Sequence, residues 1–167
     1  MEDRVQIIPA TYAHVVDLAN RMRTADMDEV YASSGMTPLE ASDLSLRASS
    51  EAWAVLFYGE LACIWGVCPG SDSSAISRRG WVWMLTTDTV DQNKRLFMKC
   101  CWDILPSLLD RWDVLANAID DRHQVALRWG ARLGFQFRDP EPWGIDGLPF
   151  RFFTVTKEDV LCANQLH

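Results

Sequence analysis

The sequence lacks an apolar run of about 18 residues, the length that a membrane-spanning helix needs. Its first residues, Met1-Glu2-Asp3-Arg4, also lack the basic and then apolar order of a secretory signal peptide. We therefore expect a protein that neither crosses a membrane nor is secreted.

Positive charge is scarce, with 16 lysine and arginine residues against 23 aspartate and glutamate residues and a net charge of -7. An acidic surface repels phosphates over a Debye length. This balance argues against non-specific binding to nucleic acid.

The five cysteines are odd in number, and no Cys/His spacing matches a zinc site. Most of them fall within elements predicted to be buried, where a thiol behaves as a small hydrophobe. We expect reduced cysteines, a cytoplasmic setting and no bound metal.

The length of 167 residues and the 49% hydrophobic content suit one folded domain over residues 1–167. The central part of the chain begins with a segment, 81–87, that mixes aromatic and β-branched residues, which predicts a strand buried on both faces. From Leu96 to Trp112 apolar doublets recur every four residues, which predicts a long helix. We expect Pro106 to bend or break that helix, because proline cannot donate a backbone hydrogen bond.

A second buried strand is predicted over 114–119. Asp120 and Asp121 are expected to cap the following helix, because carboxylates accept hydrogen bonds from free amides at a helix start. That helix should end at Gly134, a residue suited to a left-handed cap.

The remaining elements follow from the same kinds of pattern. We predict strands, helices and a β-hairpin as follows: a strand at 5–9, helices from about Thr11, near 27–31 and from Thr37 to about Ser49, hairpin strands at 52–58 and 61–67 turning at Gly59-Glu60, and a closing strand at 150–157. Together they predict a mixed α/β (α+β) fold, with a central sheet of about six to seven strands flanked by about four to five helices.

This element order resembles the GNAT N-acetyltransferase fold, and the nearest motif-level similarity lies at Ala126 through Gly134-Phe135. Four pieces together are more specifically similar to the GNAT-like internal virion protein A family of short-tailed bacteriophages. They are Trp81-Val82-Trp83-Met84-Leu85-Thr86-Thr87-Asp88, the long amphipathic helix from Leu96, the helix from His123 to Gly134, and the ending Phe152-Phe153-Thr154-Val155-Thr156-Lys157.

The phage resemblance implies a role in virion assembly or as an internal virion component, through binding to phage structural or assembly proteins. It places the protein in the host cytoplasm or packaged in the virion. A variant of this hypothesis has the domain bind or modify a host protein. The alternative is an acyl-CoA-dependent N-acyltransferase that uses acetyl-CoA.

The GNAT resemblance also predicts where a cofactor would bind. GNAT enzymes carry Gln/Arg-x-x-Gly-x-Gly/Ala after the central strand, so that backbone amides hold the coenzyme A diphosphate. Here residues 87–95 contain no glycine and include two carboxylates, Asp88 and Asp91. The resemblance implies that five residues bind the cofactor: Leu85, Thr87, Asn93, Lys94 and Arg95.

The catalytic acid of these enzymes is often a tyrosine four residues before the glycine matched by Gly134, and that position is Gly130 here. His123 stands where the family often has asparagine. An imidazole could transfer a proton near neutral pH, so His123 is the candidate catalytic residue. The competing interpretation is a solvated histidine in the first turn of a helix, without a chemical role.

Trp143 and Phe150 flank a loop rich in glycine and proline. They could form an exposed apolar patch, which would mark a partner-binding surface, or they could belong to the core.

Overall fold

The computed structural model describes residues 4–165 and contains eight strands and seven helices in that range. The strands are β1 (Val5–Pro9), β2 (Glu51–Phe57), β3 (Glu60–Pro69), β4 (Arg79–Thr86), β5 (Val114–Asp120), β6 (Gln136–Phe137), β7 (Glu141–Trp143) and β8 (Leu148–Val155). The helices are α1 (Tyr12–Arg21), α2 (Thr24–Ser34), α3 (Pro38–Ala48), α4 (Thr89–Gln92), α5 (Lys94–Arg111), α6 (Gln124–Leu133) and α7 (Lys157–Asn164). Strand pairs are both antiparallel and parallel, which confirms the predicted mixed α/β fold. Four elements were not predicted: β6, β7 and α4, which are only two to four residues long, and α7, which has eight residues.

The contacts within the chain group it into two compact units. The first unit comprises residues up to 68 together with 82–97, and the second comprises 69–81 together with residues from 98 onward. The expectation of one domain over 1–167 stays a prediction. No helix between residues 4 and 165 is long and apolar enough to span a membrane.

In the first unit the strands follow the order β1, β2, β3 and β4. Both β1 and β3 pair with β2 in antiparallel register. Helices α1 and α2 and strands β2, β3 and β4 contribute buried side chains to one core, which includes Val15, Leu18, Val30, Ile64 and Trp83. Helix α3 begins with a complete capping box between Thr37 and Glu40, as the Thr-Pro-Leu-Glu pattern predicts.

The hairpin between β2 and β3 turns one residue earlier than predicted. Its turn residues are Tyr58 and Gly59, with φ of 52° and 84°, instead of Gly59 and Glu60. A two-residue hairpin turn of this kind requires positive φ at both central positions. Glu60 is free to begin β3 because Tyr58 adopts the left-handed conformation.

In the second unit β5 pairs in parallel with the first residues of β4 and in antiparallel register with β8. The short strands β6 and β7 both pair with β8. The predicted burial of β4 on both faces is wrong at Trp81, which is 38% exposed, whereas Trp83 is only 9% exposed. Trp81 instead packs edge-on against Phe152, with ring centroids 6.4 Å apart.

Helix α5 passes through Pro106 without ending, over 18 residues. The neighbouring residues Leu105, Leu108 and Leu109 are all buried. Their burial continues the apolar stripe across the proline and offsets the backbone hydrogen bond that proline cannot make. Of the predicted bend or break at Pro106, the break is therefore wrong and the bend stays a prediction.

Asp120 and Asp121 do not cap α6, which begins only at Gln124 with His123 as its N-cap. Asp120 is the last residue of β5 and accepts hydrogen bonds from the backbone and guanidinium of Arg122 at 2.6–3.0 Å. Asp121 binds Arg151 Nε at 2.5 Å. Both carboxylates are used by arginines in the turn and in β8, and so the capping prediction is wrong.

The end of α6 is as predicted, because Gly134 has φ of 99° and closes the helix in the left-handed conformation. Helix α7 was not predicted from the sequence. The pattern that indicates it is the capping box that Thr156 and Asp159 form at the start of the helix.

Candidate functional site

Thr87, the residue after β4, is fully buried and uses both of its donors within the protein. Its backbone N–H donates to the carbonyl oxygen of Ala62 at 2.9 Å. Its hydroxyl donates to the carbonyl oxygen of Leu61 at 2.6 Å. These bonds attach the end of β4 to the start of β3, and they leave Thr87 no donor for a bound anion.

The segment after Thr87 forms α4, a single helical turn, where the resemblance predicts a phosphate-binding turn. The N–H groups of Val90, Asp91 and Asn93 each donate to the carbonyl three residues earlier, at 3.0–3.3 Å. The N–H of Thr89 is held by the hydroxyl of Thr87 at 3.3 Å. Because these amides are engaged within the turn, they do not fit a backbone cradle for a diphosphate.

The start of α5 fits an anion better. The first amides of a helix have no carbonyl acceptor within the helix, and the N–H of Phe97 is the one that bonds back to Asn93, at 2.9 Å. Lys94 and Arg95 are exposed there and have no ion-pair partner among residues 4–165. The side chain of Asn93 donates to the carbonyl oxygen of Thr89 at 3.0 Å. Three predicted cofactor residues, Asn93, Lys94 and Arg95, therefore meet at one helix end.

Leu85 lies within β4, before this segment. Its side chain is partly buried and packs against the core of the first unit. The role implied for Leu85 belongs to its backbone amide, and that role stays a prediction.

The connection between α1 and α2 runs along the end of β4. Met22 forms a bridge to Thr87, and the N–H of Arg23 donates to the carbonyl oxygen of Thr86 at 3.1 Å. Met22 and Arg23 both have extended backbone conformations. Alternate side chains of an extended chain point to the same side. The side chains of Arg21 and Arg23 therefore lie on the same side of the junction.

A cavity of about 460 Å³ opens at this junction. The residues that line it come from the α1–α2 junction and from the segment around α4: Arg21, Met22, Arg23, Thr24, Ala25, Asp88 and Asp91. Two guanidiniums and two carboxylates thus share one cavity within the first unit. We call this the arginine cavity.

Arg21 is held firmly by its neighbours. Its Nε and Nη2 donate to the two carboxylate oxygens of Asp17, each at 2.9 Å. Its other contacts are with the Thr89 hydroxyl and the Leu61 carbonyl, both at 3.3 Å. The hydrogen bond from Arg21 lowers the pKa of Asp17 below its ordinary value. Asp88 reaches Arg21 only at 3.6 Å and is 67% exposed.

Arg23 has fewer contacts than Arg21. Its Nε pairs with Asp91 at 3.2 Å, and its Nη1 lies 3.5 Å from the Thr86 hydroxyl. Its side chain is 19% exposed, whereas that of Asp91 is 48% exposed. Behind this pair Asp26 is buried and accepts from the N–H and hydroxyl of Thr86, at 2.8 and 2.5 Å.

Arg21 and Arg23 were not among the site residues predicted from the sequence. The pattern that could have indicated them is the pair of arginines at positions i and i+2 in Arg21-Met22-Arg23-Thr24, directly between two predicted helices. This pair of arginines did not by itself predict a site, because no local sequence pattern shows that residues 22 and 87 are neighbours.

In the second unit His123 is the N-cap of α6, is partly buried, and makes no side-chain cap bond to that helix. Nearby Asp120 is buried. Burial alone raises the pKa of Asp120, but the hydrogen bonds from Arg122 outweigh it and the net pKa is lowered. Asp120 is therefore ionised at neutral pH and is not a proton donor there.

Gly130, where the family tyrosine is expected, has no space for a side chain. A Cβ at this position would lie 2.7 Å from Phe135 Cδ2 and 2.9 Å from Phe137 Cζ. Phe135 in turn stacks on Phe153, with ring centroids 4.3 Å apart. Aromatic side chains therefore fill the space that the side chain of the usual catalytic acid would need at this position.

Trp143 and Phe150 do not form a shared exposed patch. Phe150 is fully buried, and so it is not part of an exposed surface. Trp143 is 37% exposed and packs edge-on against Phe150 and Phe152, with centroids 5.1 and 5.6 Å apart. Phe150 faces inward because it belongs to the paired strand β8, and Trp143 covers it.

None of the five cysteines forms a disulfide. Burial raises the pKa of the Cys100 thiol to about 11, which keeps it protonated and weakly nucleophilic. Between residues 4 and 165 no three His, Cys, Asp or Glu side chains are grouped to hold a metal ion.

No family model matches this chain, and no curated protein matches it by sequence. Solved structures do match it. A GNAT-family acetyltransferase from Bacillus anthracis has a TM-score of 0.65 and 10% identity, over 93% of this chain and 96% of that one. An aminoglycoside N(6')-acetyltransferase from Legionella pneumophila has a TM-score of 0.70 and 10% identity, over 97% of both chains.

A third match is yncA from Salmonella typhimurium, solved with its cofactor acetyl-CoA. Its TM-score is 0.62 and its identity 14%, over 93% of this chain and 95% of that one. These similarities cover almost the whole of each chain. The fold is therefore the GNAT acetyltransferase fold, as the element order predicts.

Proposed function

We propose that this protein is an acyl-CoA-dependent N-acyltransferase. The observation that carries the proposal is the GNAT fold over almost the whole chain, in which the second helix after the central strand, α5, begins with two exposed cations, Lys94 and Arg95. Acetyl-CoA would supply the thioester whose acyl group passes to an amine. This chain's own residues must hold the cofactor, polarise the thioester carbonyl and manage the proton.

Binding of the diphosphate falls to the first turn of α5. The helix-start amides favour negative charge, and Lys94 and Arg95 add two exposed cations. Charge-assisted hydrogen bonds from such groups are roughly twice as strong as neutral ones. The start of α5 thus replaces the glycine turn, whose position α4 occupies.

The chemistry of acyl transfer then needs two further groups. The backbone N–H of Leu85 is the proposed donor to the carbonyl oxygen as it becomes negative in the tetrahedral intermediate. Acyl transfer would form the C–N bond to the amine and break the C–S bond, so that the amine nitrogen would lose one proton and the leaving thiolate would gain one. His123 is the proposed residue for carrying that proton, since the position of the usual tyrosine is Gly130.

The first test is thermal unfolding with acetyl-CoA. A ligand at 100 times its Kd stabilises the folded state by about 2.7 kcal/mol, and so millimolar acetyl-CoA should raise the Tm. The double variant Lys94→Gln/Arg95→Gln should lose most of this shift, while Lys99→Gln, an exposed lysine further along α5, should keep it. An unchanged Tm of the unmodified chain at millimolar acetyl-CoA would reject the proposal.

The second candidate function is binding of phage structural or assembly proteins in the host cytoplasm or in the virion, without efficient catalysis. Two observations favour the absence of efficient catalysis in this candidate: the engaged amides of α4 and the closed Gly130 position. Exposed Trp143 is the proposed contact. Here acetyl-CoA has no effect on the Tm, and Trp143→Ala weakens co-purification with a virion protein while the chain stays folded. Co-purification that Trp143→Ala leaves intact would remove Trp143 from this role.

A further inference from the structure

Strand β1 of the first unit has one open edge. The strand order begins with β1, and within residues 4–165 this strand pairs only with β2. The other strands that pair on one side only, β6 and β7, are two and three residues long. The backbone groups of an unpaired edge are open to pairing with another chain. Strand β1, with five residues, is the longest such edge in the described part of the chain.

The hydrogen bonds at the two ends of β1 show which backbone groups face the open edge. The N–H of Tyr58 donates to the carbonyl oxygen of Arg4 at 3.2 Å, and the N–H of Ala10 donates to the carbonyl oxygen of Ala52 at 3.0 Å. The register between these positions is unbroken. Because bonded and non-bonded positions alternate in an antiparallel pair, the even-numbered residues bond to β2 and the odd-numbered residues point their backbone groups away from it.

The open edge therefore carries the N–H and carbonyl groups of Val5 and Ile7 and the carbonyl group of Pro9. Edge strands are usually protected by charged side chains, bulges or proline. The sequence of β1 contains no charged residue, its register shows no bulge, and its proline stands only at the last position. The side chains of Ile7 and Ile8 are 42% and 37% exposed. This edge is thus both unpaired and apolar.

The strand is complementary to a second copy of itself. Antiparallel pairing of two β1 strands across a two-fold axis places Ile7 opposite Ile7, and these two residues exchange both of their backbone hydrogen bonds. The N–H of each Val5 then meets the carbonyl oxygen of Pro9 in the other copy. The N–H that proline lacks falls at the end of the pairing, where water can bond to the carbonyl group left over. On the other face of the sheet the two Ile8 side chains reach each other diagonally.

An exposed tyrosine lies at each end of β1. Tyr58 is at the turn that bonds to Arg4, Tyr12 follows the end of the strand as the first residue of α1, and each side chain is 57% exposed. In an antiparallel pair the start of one strand lies beside the end of the other, which brings Tyr58 of one copy towards Tyr12 of the second. Tyrosine is enriched in protein interfaces, and these side chains add to the small area that five paired residues bury.

We propose that β1 is a self-association edge, through which two copies of this chain pair in antiparallel register about Ile7. A small interface of this kind gives a Kd on the order of 10–100 µM. Each copy has a net charge of -7, and so the copies repel each other. Raising the salt concentration should therefore strengthen the association, because salt screens this repulsion. The inference is independent of the proposed acyltransferase function.

Sedimentation equilibrium of the full chain over about 1–500 µM spans the expected Kd. Ile7→Lys and Ile7→Glu should each raise the Kd about tenfold or more, because two like charges would then lie opposite each other at the axis. An equimolar mixture of the two variants should associate again, because lysine then faces glutamate. Val125→Lys changes an apolar side chain of α6 that is 55% exposed and should leave the Kd unchanged. Far-UV circular dichroism establishes that each variant is folded.

Amide hydrogen exchange of the unmodified chain tests the same pairing without a substitution. The amides of Val5 and Ile7 should exchange more slowly as the protein concentration rises through the Kd, because they become bonded only in the dimer. The amides of Gln6 and Ile8 already bond to β2 and should be protected at every concentration.

Three results would overturn the proposal. They are a chain that stays monomeric over the whole concentration range, a dimer that Ile7→Lys leaves intact, and a mixture of Ile7→Lys and Ile7→Glu that stays as dissociated as either variant alone. Recovery of the dimer in the mixture, together with concentration-dependent protection of the Ile7 amide, would establish the self-association edge.

Discussion

Two regions of this molecule treat polar groups in opposite ways. At the α1–α2 junction of the first unit, partly buried arginines pair with more exposed aspartates around an open cavity. Around β8 of the second unit, aromatic rings fill the space, and even a Cβ at Gly130 would clash with two of them. Exposed ion pairs exchange partners cheaply, whereas packed rings do not rearrange without loss of stability. Binding function is thus expected in the first region and stability in the second.

The largest effect should come from removing a ring of the second unit. Phe150→Ala deletes a fully buried side chain and should lower the free energy of unfolding by about 3–5 kcal/mol. Its first-unit counterpart, Asp91→Asn, breaks an exposed pair and should change this quantity by at most about 0.5 kcal/mol. Urea denaturation measures both. Similar values for the two variants would break the comparison.

The next effect compares two glycines with positive φ. Gly134→Ala should cost about 2–3 kcal/mol, because the left-handed conformation is strained and the new Cβ would meet the carbonyl oxygen of Asp159 at 2.7 Å. Gly59→Ala, in the first-unit hairpin, should cost only about 1 kcal/mol, because nothing lies within 4 Å of its Cβ. Thermal or urea unfolding of both variants provides the test. Equal losses would show that α7 yields at Asp159 to make room.

The smallest effect concerns pH and Asp120. Its pKa is lowered in the folded state by Arg122, and so its contribution to stability is present above the unfolded pKa, near 4, and is lost as the pH falls through the folded pKa. Asp120→Asn should therefore be about 1 kcal/mol less stable than the unmodified chain at pH 7. The difference should shrink below about pH 4.

A series of urea titrations from pH 7 to pH 3 measures this convergence. Asp17→Asn is the first-unit control, since Asp17 also has a lowered pKa but is more exposed. We expect a smaller loss from Asp17→Asn at pH 7, because solvent screens the exposed pair. A gap between Asp120→Asn and the unmodified chain that stays constant with pH would assign the loss to packing.

Some elements were predictable from local pattern alone. The capping box of Thr37 and Glu40 and the left-handed Gly134 appear where the sequence predicts them, because both depend on residues a few positions apart. The helix does not break at Pro106, since burial of the neighbouring leucines is a tertiary effect. The choice between an exposed patch and the core for Phe150 also needed the tertiary structure, because the covering residue Trp143 belongs to a strand of only three residues.

The candidate site divides in the same way. Residues 93–95 could be named from the sequence because they follow the central strand in order along the chain. Arg23 could not be named, because its partner Asp91 is 68 positions away in sequence. The two segments are brought together in the fold by the bridge between Met22 and Thr87 and by the hydrogen bond from the N–H of Arg23 to Thr86.

By itself, the sequence determined the mixed α/β element order and the absence of a glycine turn after β4, since periodicity and composition act over a few residues. Tertiary structure alone decided that Phe153 stacks on Phe135 next to Gly130 and that two arginines share a cavity with two aspartates. These features depend on contacts between segments far apart in the chain, and local propensity carries no information about such contacts.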